Sequence, residues 1–199
     1  MRLGPTNLSA PSIGNPVTPR PPSAAAPLIQ EFGTVGDLPL ALSDTARKHS
    51  CERLNQILVD TQYLYALYKK HHWVMRGPTF YQLHLLLDQH AAVQLDLVDA
   101  LAERVQGLGG VAVGDPRHAA ELTCVPRPPD GVEGVPAMIA RLLQAHELIL
   151  ADARAASAAV AGLGDEGSQD LLVSQVIRTG ERQVWFLAEH LVPVPVTGP

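Results

Sequence analysis

Apolar residues recur at helical spacing in four long stretches of this chain, with breaks rich in proline and glycine between them. The clearest run follows Thr79, which reads as an N-cap: Phe80, Leu83, Leu87, Ala91, Val98, Leu101, Val105 and Leu108 share one helix face. Neither Pro nor Gly interrupts it before Gly107. An earlier helix is expected from about Ser43 to about Trp73, burying Leu54, Ile57, Leu58, Thr61, Leu64, Tyr65 and Tyr68. Arg76-Gly77-Pro78 then turns the chain. A third helix should run from about Pro136 to Gly162, with Met138, Leu142, Ala145, Ile149 and Ala153 inward. The fourth follows an acidic turn, Gly164 to Asp170, and ends near Leu191. Between the second and third lies Val111 to Val135, read as a long crossover with a short helix around His118 to Thr123. The pattern therefore predicts an all-α four-helix bundle.

Composition places tails on this bundle. Residues 1–40 hold eight prolines and no lysine, with Arg2 and Arg20 the only bases, so they read as a mostly extended tail. Its favoured role is a spacer or packing arm, with Leu28, Ile29 and Phe32 as apolar anchors. Residues 41–192 form the bundle, and residues 193–199 a short proline-rich tail. A net charge of −5 gives no general pull toward nucleic acid or anionic membrane. Cys51 and Cys124 form no recognisable spacing, which fits a reducing cytoplasm. No stretch reads as a membrane span or a secretory signal, so a cytoplasmic location is expected.

The second helix carries chemistry beside its apolar stripe. His84, Asp88, Asp99 and Glu103 fall on one neighbouring face. Four ionisable groups at the edge of an apolar face are unfavourable unless solvated, paired or metal-bound. His84 and Asp88 are i,i+4 neighbours, as are Asp99 and Glu103, and each pair can hold one ion. The two pairs cannot share an ion within one straight helix, because eleven residues separate Asp88 from Asp99, roughly 16 Å of helical rise. If two copies of the helix pack antiparallel across a two-fold axis near Val93, each pair faces the other pair of the partner. Ala91 and Ala92 would permit the close approach. Two identical sites per dimer result, each built from two subunits. Nitrogen and oxygen donors without thiolate suit iron, manganese or zinc.

The stretch from His71 to Gly110, HHWVMRGPTFYQLHLLLDQHAAVQLDLVDALAERVQGLGG, resembles the signature of the Dps family, the mini-ferritins that protect DNA in starved cells. The matching positions are His72 before Trp73, His84, Asp88, Asp99 and Glu103. The resemblance spans roughly residues 45–190, including Trp185-Phe186. It implies a ferritin-like four-helix subunit in a hollow dodecameric shell, with these five residues as metal ligands of two-iron ferroxidase sites at the two-fold interfaces. It also implies Fe(II) and hydrogen peroxide as substrates and ferric oxide as the stored product. Zinc or manganese could substitute at such sites. Asp99 is either a direct ligand or the holder of a ligating water. Trp73 is read chiefly as a packing residue that can also intercept oxidising equivalents.

Other polar residues are placed outside the ligand set. His71 points about 100° away from His72. His90, and His146 with Glu147, are expected at the surface or an interface, and Arg104 is expected to pair with a carboxylate elsewhere in the assembly. Asp165, Glu166 and Asp170 favour a helix start through the dipole, and acids here could also line a pore at a three-fold axis. Two other functions weigh less. A DNA-compacting protein with a secondary metal site fits poorly with the acidic charge and Lys-free tail, so DNA binding is expected to be weak. A ferritin with its di-metal centre inside each subunit needs Glu-x-x-His motifs, and the chain contains none.

Overall fold

Ser43 begins the ordered helices by chemistry that its residue type dictates. Its extended backbone lets the hydroxyl accept from Ala46 N at 3.1 Å, capping α1 (Asp44–Val74). The computed structural model describes residues 27–193, and all regular structure among them is helical. The remaining expected tail segments, 1–26 and 194–199, lie outside the described residues. After α1, Gly77 takes φ +97°, a left-handed value that suits glycine, and the chain reverses into α2 (Phe80–Gly107). The connection is short, so α1 and α2 pack as antiparallel neighbours.

Helix α3 (Pro116–Leu122) sits in the crossover, and α4 (Val135–Ala161) packs against α1. The fourth long helix is composite. It comprises α5 (Glu166–Asp170), a π-helical stretch over Leu171–Ile177, α6 (Arg178–Ala188) and a 3₁₀ turn over Glu189–Leu191. Apolar periodicity marks this helix but not its wider turns, which change the phase of the buried face. Leu172, Val176, Gly180, Gln183 and Leu187 all end up inside. At Gly180 an added Cβ would stand 2.9 Å from Leu150 Cδ2, so any larger residue would have to displace the Leu150 side chain of α4.

The core holds most of the expected residues. Leu54, Ile57, Leu58, Thr61, Leu64 and Tyr68 of α1 are buried, as are Met138, Leu142, Ala145, Ile149 and Ala153 of α4. In α2, Leu83, Leu87, Ala91, Leu101 and Val105 form the inner stripe, continued by Leu108. Each such Leu contributes about 1.5–3 kcal/mol through area removed from water. Phe80 departs from the expectation at 42% exposed, because it sits in the first turn beyond the bundle end. Thr79 occupies the N-cap position of α2, but its backbone (φ −96°, ψ 14°) is not extended and its side chain accepts no capping bond. Leu28 and Ile29 are exposed rather than anchored, while Phe32 meets the His118 ring edge-on at 5.0 Å.

Polar side chains hold the irregular segments. Asn55 donates to Val111 O and accepts from Val113 N, both at 3.0 Å, pinning the start of the crossover. Asp60 accepts from Thr123 Oγ1 and Cys124 N at 2.7 Å each and pins its middle. The buried Arg47 donates to Gly36 O at 2.5 Å and Leu108 O at 3.1 Å, tying the segment before α1 to the end of α2. Gly36 N also donates to Gly109 O at 2.7 Å. Gly109 adopts φ +83°, and a Cβ there would stand 2.9 Å from Gly36 O.

The structure decides several polar placements that the sequence leaves open, and it corrects those of His90 and His146. Arg104 finds its carboxylate within its own chain, donating to Asp165 at 2.5 Å and to Ser168 Oγ at 2.9 Å. Asp165 is 1% exposed and caps α5 through Ser168 N, so it does not line a pore. His90 and His146 are buried, not superficial. They converge on the hydroxyl of Tyr68 in the middle of the bundle, because each occupies an inward position of its helix at i−1 or i+1 from an apolar one: His90 precedes Ala91 and His146 follows Ala145.

Burial, and then the neighbouring His90, pull the His146 pKa down to about 3. In the unfolded chain it titrates near the ordinary 6.5. Below 6.5 the unfolded state therefore takes up a proton that the folded state refuses until about 3. Stability should fall across that window by about 1.4 kcal/mol per pH unit for this residue. Denaturant titrations at pH 7, 6 and 5 and fixed protein concentration check this. His146→Gln should flatten the slope by one proton.

Candidate metal centre

The end of α1 and the start of α2 place two histidines face to face. The His72 and His84 rings stack with centroids 3.8 Å apart and planes at 19°. Each ring is tied to the backbone of the other: His72 Nδ1 lies 2.8 Å from His84 O, and His84 Nδ1 lies 3.1 Å from His72 O. A carbonyl oxygen can only accept, so both Nδ1 atoms carry hydrogen, and in the neutral rings the lone pair is left on Nε2. This is the tautomer in which a histidine offers Nε2 to a metal while its other nitrogen is held by a second hydrogen bond. Phe80 covers His84 from one side, its ring centroid at 5.0 Å.

Asp88 stands one turn beyond His84, its Oδ1 3.9 Å from His72 Nε2. Its nearest partner is Lys69, whose ammonium donates to Oδ1 at 2.5 Å. That contact holds the Asp88 carboxyl below its ordinary range. Lys69 escaped the sequence reading, although its i,i+3 relation to His72 puts it on the same edge of α1. Its ammonium also lies 5.9 Å from the centroid of the Trp73 ring, which is 71% exposed in the single chain.

Of the five expected ligands, then, His72 and His84 stack against each other and Asp88 lies near His72, without the three closing around a common point. Asp99 and Glu103 are exposed further along α2, roughly 16 Å away by helical rise. Among the described residues, no three His, Cys, Asp or Glu side chains stand together closely enough to hold a metal ion. His71, the neighbour set aside as a ligand, is 1% exposed, and neither of its ring nitrogens has a hydrogen-bond partner. Burial, with Lys70 adding to it, lowers its pKa to about 4.

A family model described as a ferritin-like domain matches residues 51–195. DpsC from Streptomyces coelicolor superposes with a TM-score of 0.85 at 63% identity, covering 86% of this chain and 100% of that one. The chain belongs to the Dps family. Among Dps-type relatives, a protein named "nutrient stress-induced DNA-binding protein" from Synechococcus sp. is 37% identical over 83% of this chain and 94% of its own length. A Dps protein from Vibrio cholerae shares the fold, with a TM-score of 0.73 at 23% identity over 82% of this chain and 99% of that one. That protein is described as a member of a superfamily of ferritin-like diiron-carboxylate proteins. Among the described residues, no helix of this Dps chain is long and apolar enough to cross a membrane.

The reciprocal histidine lock makes a spectroscopic prediction. In metal-free protein at pH 8, ¹⁵N correlation spectra of His72 and His84 should show hydrogen on Nδ1 and a bare Nε2. The opposite tautomer at either ring would show that the lone pair is turned away from Asp88.

Proposed function

We propose that this protein oxidises Fe(II), with hydrogen peroxide as the preferred oxidant, and stores the ferric product inside a homo-oligomeric shell. Its sites form where one subunit's His72, His84 and Asp88 meet the partner subunit's Asp99 and Glu103. The observation that carries the reading is the pair of histidines locked through Nδ1, with His72 Nε2 3.9 Å from Asp88 Oδ1 and two further carboxylates at a fixed rise along α2. The dodecamer, the cytoplasmic location and the protection of DNA from oxidative damage belong to the same proposal. They are supported by the family relationship and by the names of its relatives.

The residues present suit iron as substrate. Two imidazole nitrogens and up to three carboxylates give the nitrogen and oxygen donors that Fe(II) accepts. Before iron arrives, Lys69 neutralises Asp88 and keeps it from repelling the incoming carboxylates of the partner. Iron must displace that ammonium, so the carboxylate exchanges one cation for another. Two Fe(II) then give one electron each to hydrogen peroxide, which takes two protons and becomes two waters. Splitting the electrons between two irons avoids release of hydroxyl radical.

A mixing experiment tests the division of the site. His84→Ala/Asp88→Ala and Asp99→Ala/Glu103→Ala should each lose peroxide-dependent iron oxidation. Co-assembled in equal amounts, they should recover about a quarter of wild-type sites, because half the dimers are mixed and each mixed dimer restores one of two sites. Zero recovery in properly assembled shells would refute an intersubunit site. The competing reading as a DNA-compacting protein draws on the Synechococcus relative's name. Against it stand a net charge of −5 and a first forty residues without lysine. It would be favoured if low-salt gel retardation of DNA survived in the iron-site variants.

A further inference from the structure

The centre of the bundle holds a polar group that iron binding leaves unused. Tyr68 of α1 is fully buried. Its hydroxyl lies 2.6 Å from His146 Nε2 on α4 and 3.2 Å from His90 Nδ1 on α2. A third neighbour, Gln183 Oε1 on α6, is 3.4 Å away and already accepts from Gln94 Nε2 at 2.8 Å. Two ring nitrogens thus face one hydroxyl that carries one proton. If the hydroxyl hydrogen goes to a ring rather than to the more distant Gln183 oxygen, one ring accepts it while the other donates to the phenol oxygen. The shorter contact assigns His146 Nε2 as acceptor and leaves His90 Nδ1 as donor.

Burial keeps the His146 imidazole neutral, so its Nε2 lone pair is free for the hydrogen of the phenol 2.6 Å away. The same burial makes it a weak base that only a much stronger acid than the resting phenol can protonate, and burial also pushes the Tyr68 phenol well above its ordinary range. A phenolate without compensation is therefore unfavourable here. Loss of an electron is a different matter. If the phenol proton moves to Nε2 as the electron leaves, the ring becomes a neutral phenoxyl and the positive charge rests on an imidazolium already hydrogen-bonded to it.

The triad is also close to the candidate metal centre. Tyr68 lies one turn before His72 on α1, about 6 Å along the axis. Its partner His90 follows Asp88 by two residues on α2.

We propose that Tyr68 is a built-in electron donor, which supplies the second electron to hydrogen peroxide when only one Fe(II) occupies the neighbouring site; this rests on the iron-oxidising function proposed above. Fe(II) gives one electron and becomes Fe(III). Tyr68 gives the other, and its phenolic proton passes to His146 Nε2. The O–O bond of peroxide breaks, and with two protons from solvent it leaves as two waters. Without this donor, a single Fe(II) would split peroxide into hydroxide and hydroxyl radical. A network serving only to join the four helices would form no radical, and this separates the two roles.

The test uses whole assembled protein, loaded anaerobically with one Fe(II) per site, mixed with one equivalent of hydrogen peroxide and freeze-quenched. Paramagnetic resonance reads the radical, and Mössbauer spectroscopy reads the iron in the same samples. A tyrosyl signal is expected, with hyperfine structure that changes when ring-deuterated tyrosine is incorporated. It should vanish in Tyr68→Phe and fall about tenfold or more in His146→Leu. The chain has four tyrosines. Tyr63→Phe/Tyr65→Phe/Tyr81→Phe leaves only Tyr68, changes no buried residue, and should keep the signal even if the Tyr68 variant fails to fold. Fe(III) formed without any tyrosyl signal in the wild type, a signal insensitive to tyrosine deuteration, or its loss in the triple variant would overturn the proposal and leave iron oxidation standing. Iron oxidised no faster than in protein-free buffer would overturn both.

Discussion

Reciprocal hydrogen bonding between His72 and His84 is the constraint on which the candidate centre depends. Each ring gives one nitrogen to the carbonyl of the other residue, so α1 and α2 are joined at the point where the chain reverses. The same bonds fix the tautomer and leave Nε2 free. Stacking at 3.8 Å stops either ring from rotating independently. The histidines are thereby preorganised before any metal arrives, while the carboxylates remain exposed and adjustable. Asp88 is held by Lys69, and Asp99 and Glu103 stand exposed further along α2.

That division is why the proposed site needs two chains. A helix rises about 1.5 Å per residue, so ligands eleven positions apart cannot close on one ion unless the chain bends or another chain approaches. α2 runs unbroken from Phe80 to Gly107. In the function proposed above, a second subunit therefore supplies the remaining carboxylates. The bundle centre, where a ferritin with an intrasubunit site would carry metal-binding carboxylates, instead holds Tyr68, His90, His146, Gln94 and Gln183. These five satisfy one another across four helices. Such a network gives the helix pairing a directional component that interchangeable aliphatic contacts lack, since an unpaired member in this low-dielectric interior would be costly.

Much of this was legible in the residues. Helical periodicity located the four long helices to within a few positions, because an amphipathic face must repeat at 3.6 residues to stay in the core. The i,i+4 pairs His84/Asp88 and Asp99/Glu103 followed from the same period, as did the conclusion that they cannot serve one ion in one chain. Family resemblance added His72, which no helical spacing connects to α2. Spacing could not supply the phase of the fourth helix, since the π-helical stretch over Leu171–Ile177 depends on how that helix packs against α4. Nor could it recover Lys69 as the partner of Asp88, because that contact crosses from one helix to the next.

Local period, and the places where proline and glycine interrupt it, are enough to give the all-helical architecture, the long crossover and the helix that carries four of the five candidate ligands. Tertiary structure alone decided what surrounds the individual polar groups. His90, His146 and Arg104 are ordinary surface residues by type, and only the meeting of distant helices shows two as buried around Tyr68 and the third as paired with Asp165. The physical reason is that burial and pairing are properties of a residue's neighbours in space, and periodicity records only its neighbours along the chain.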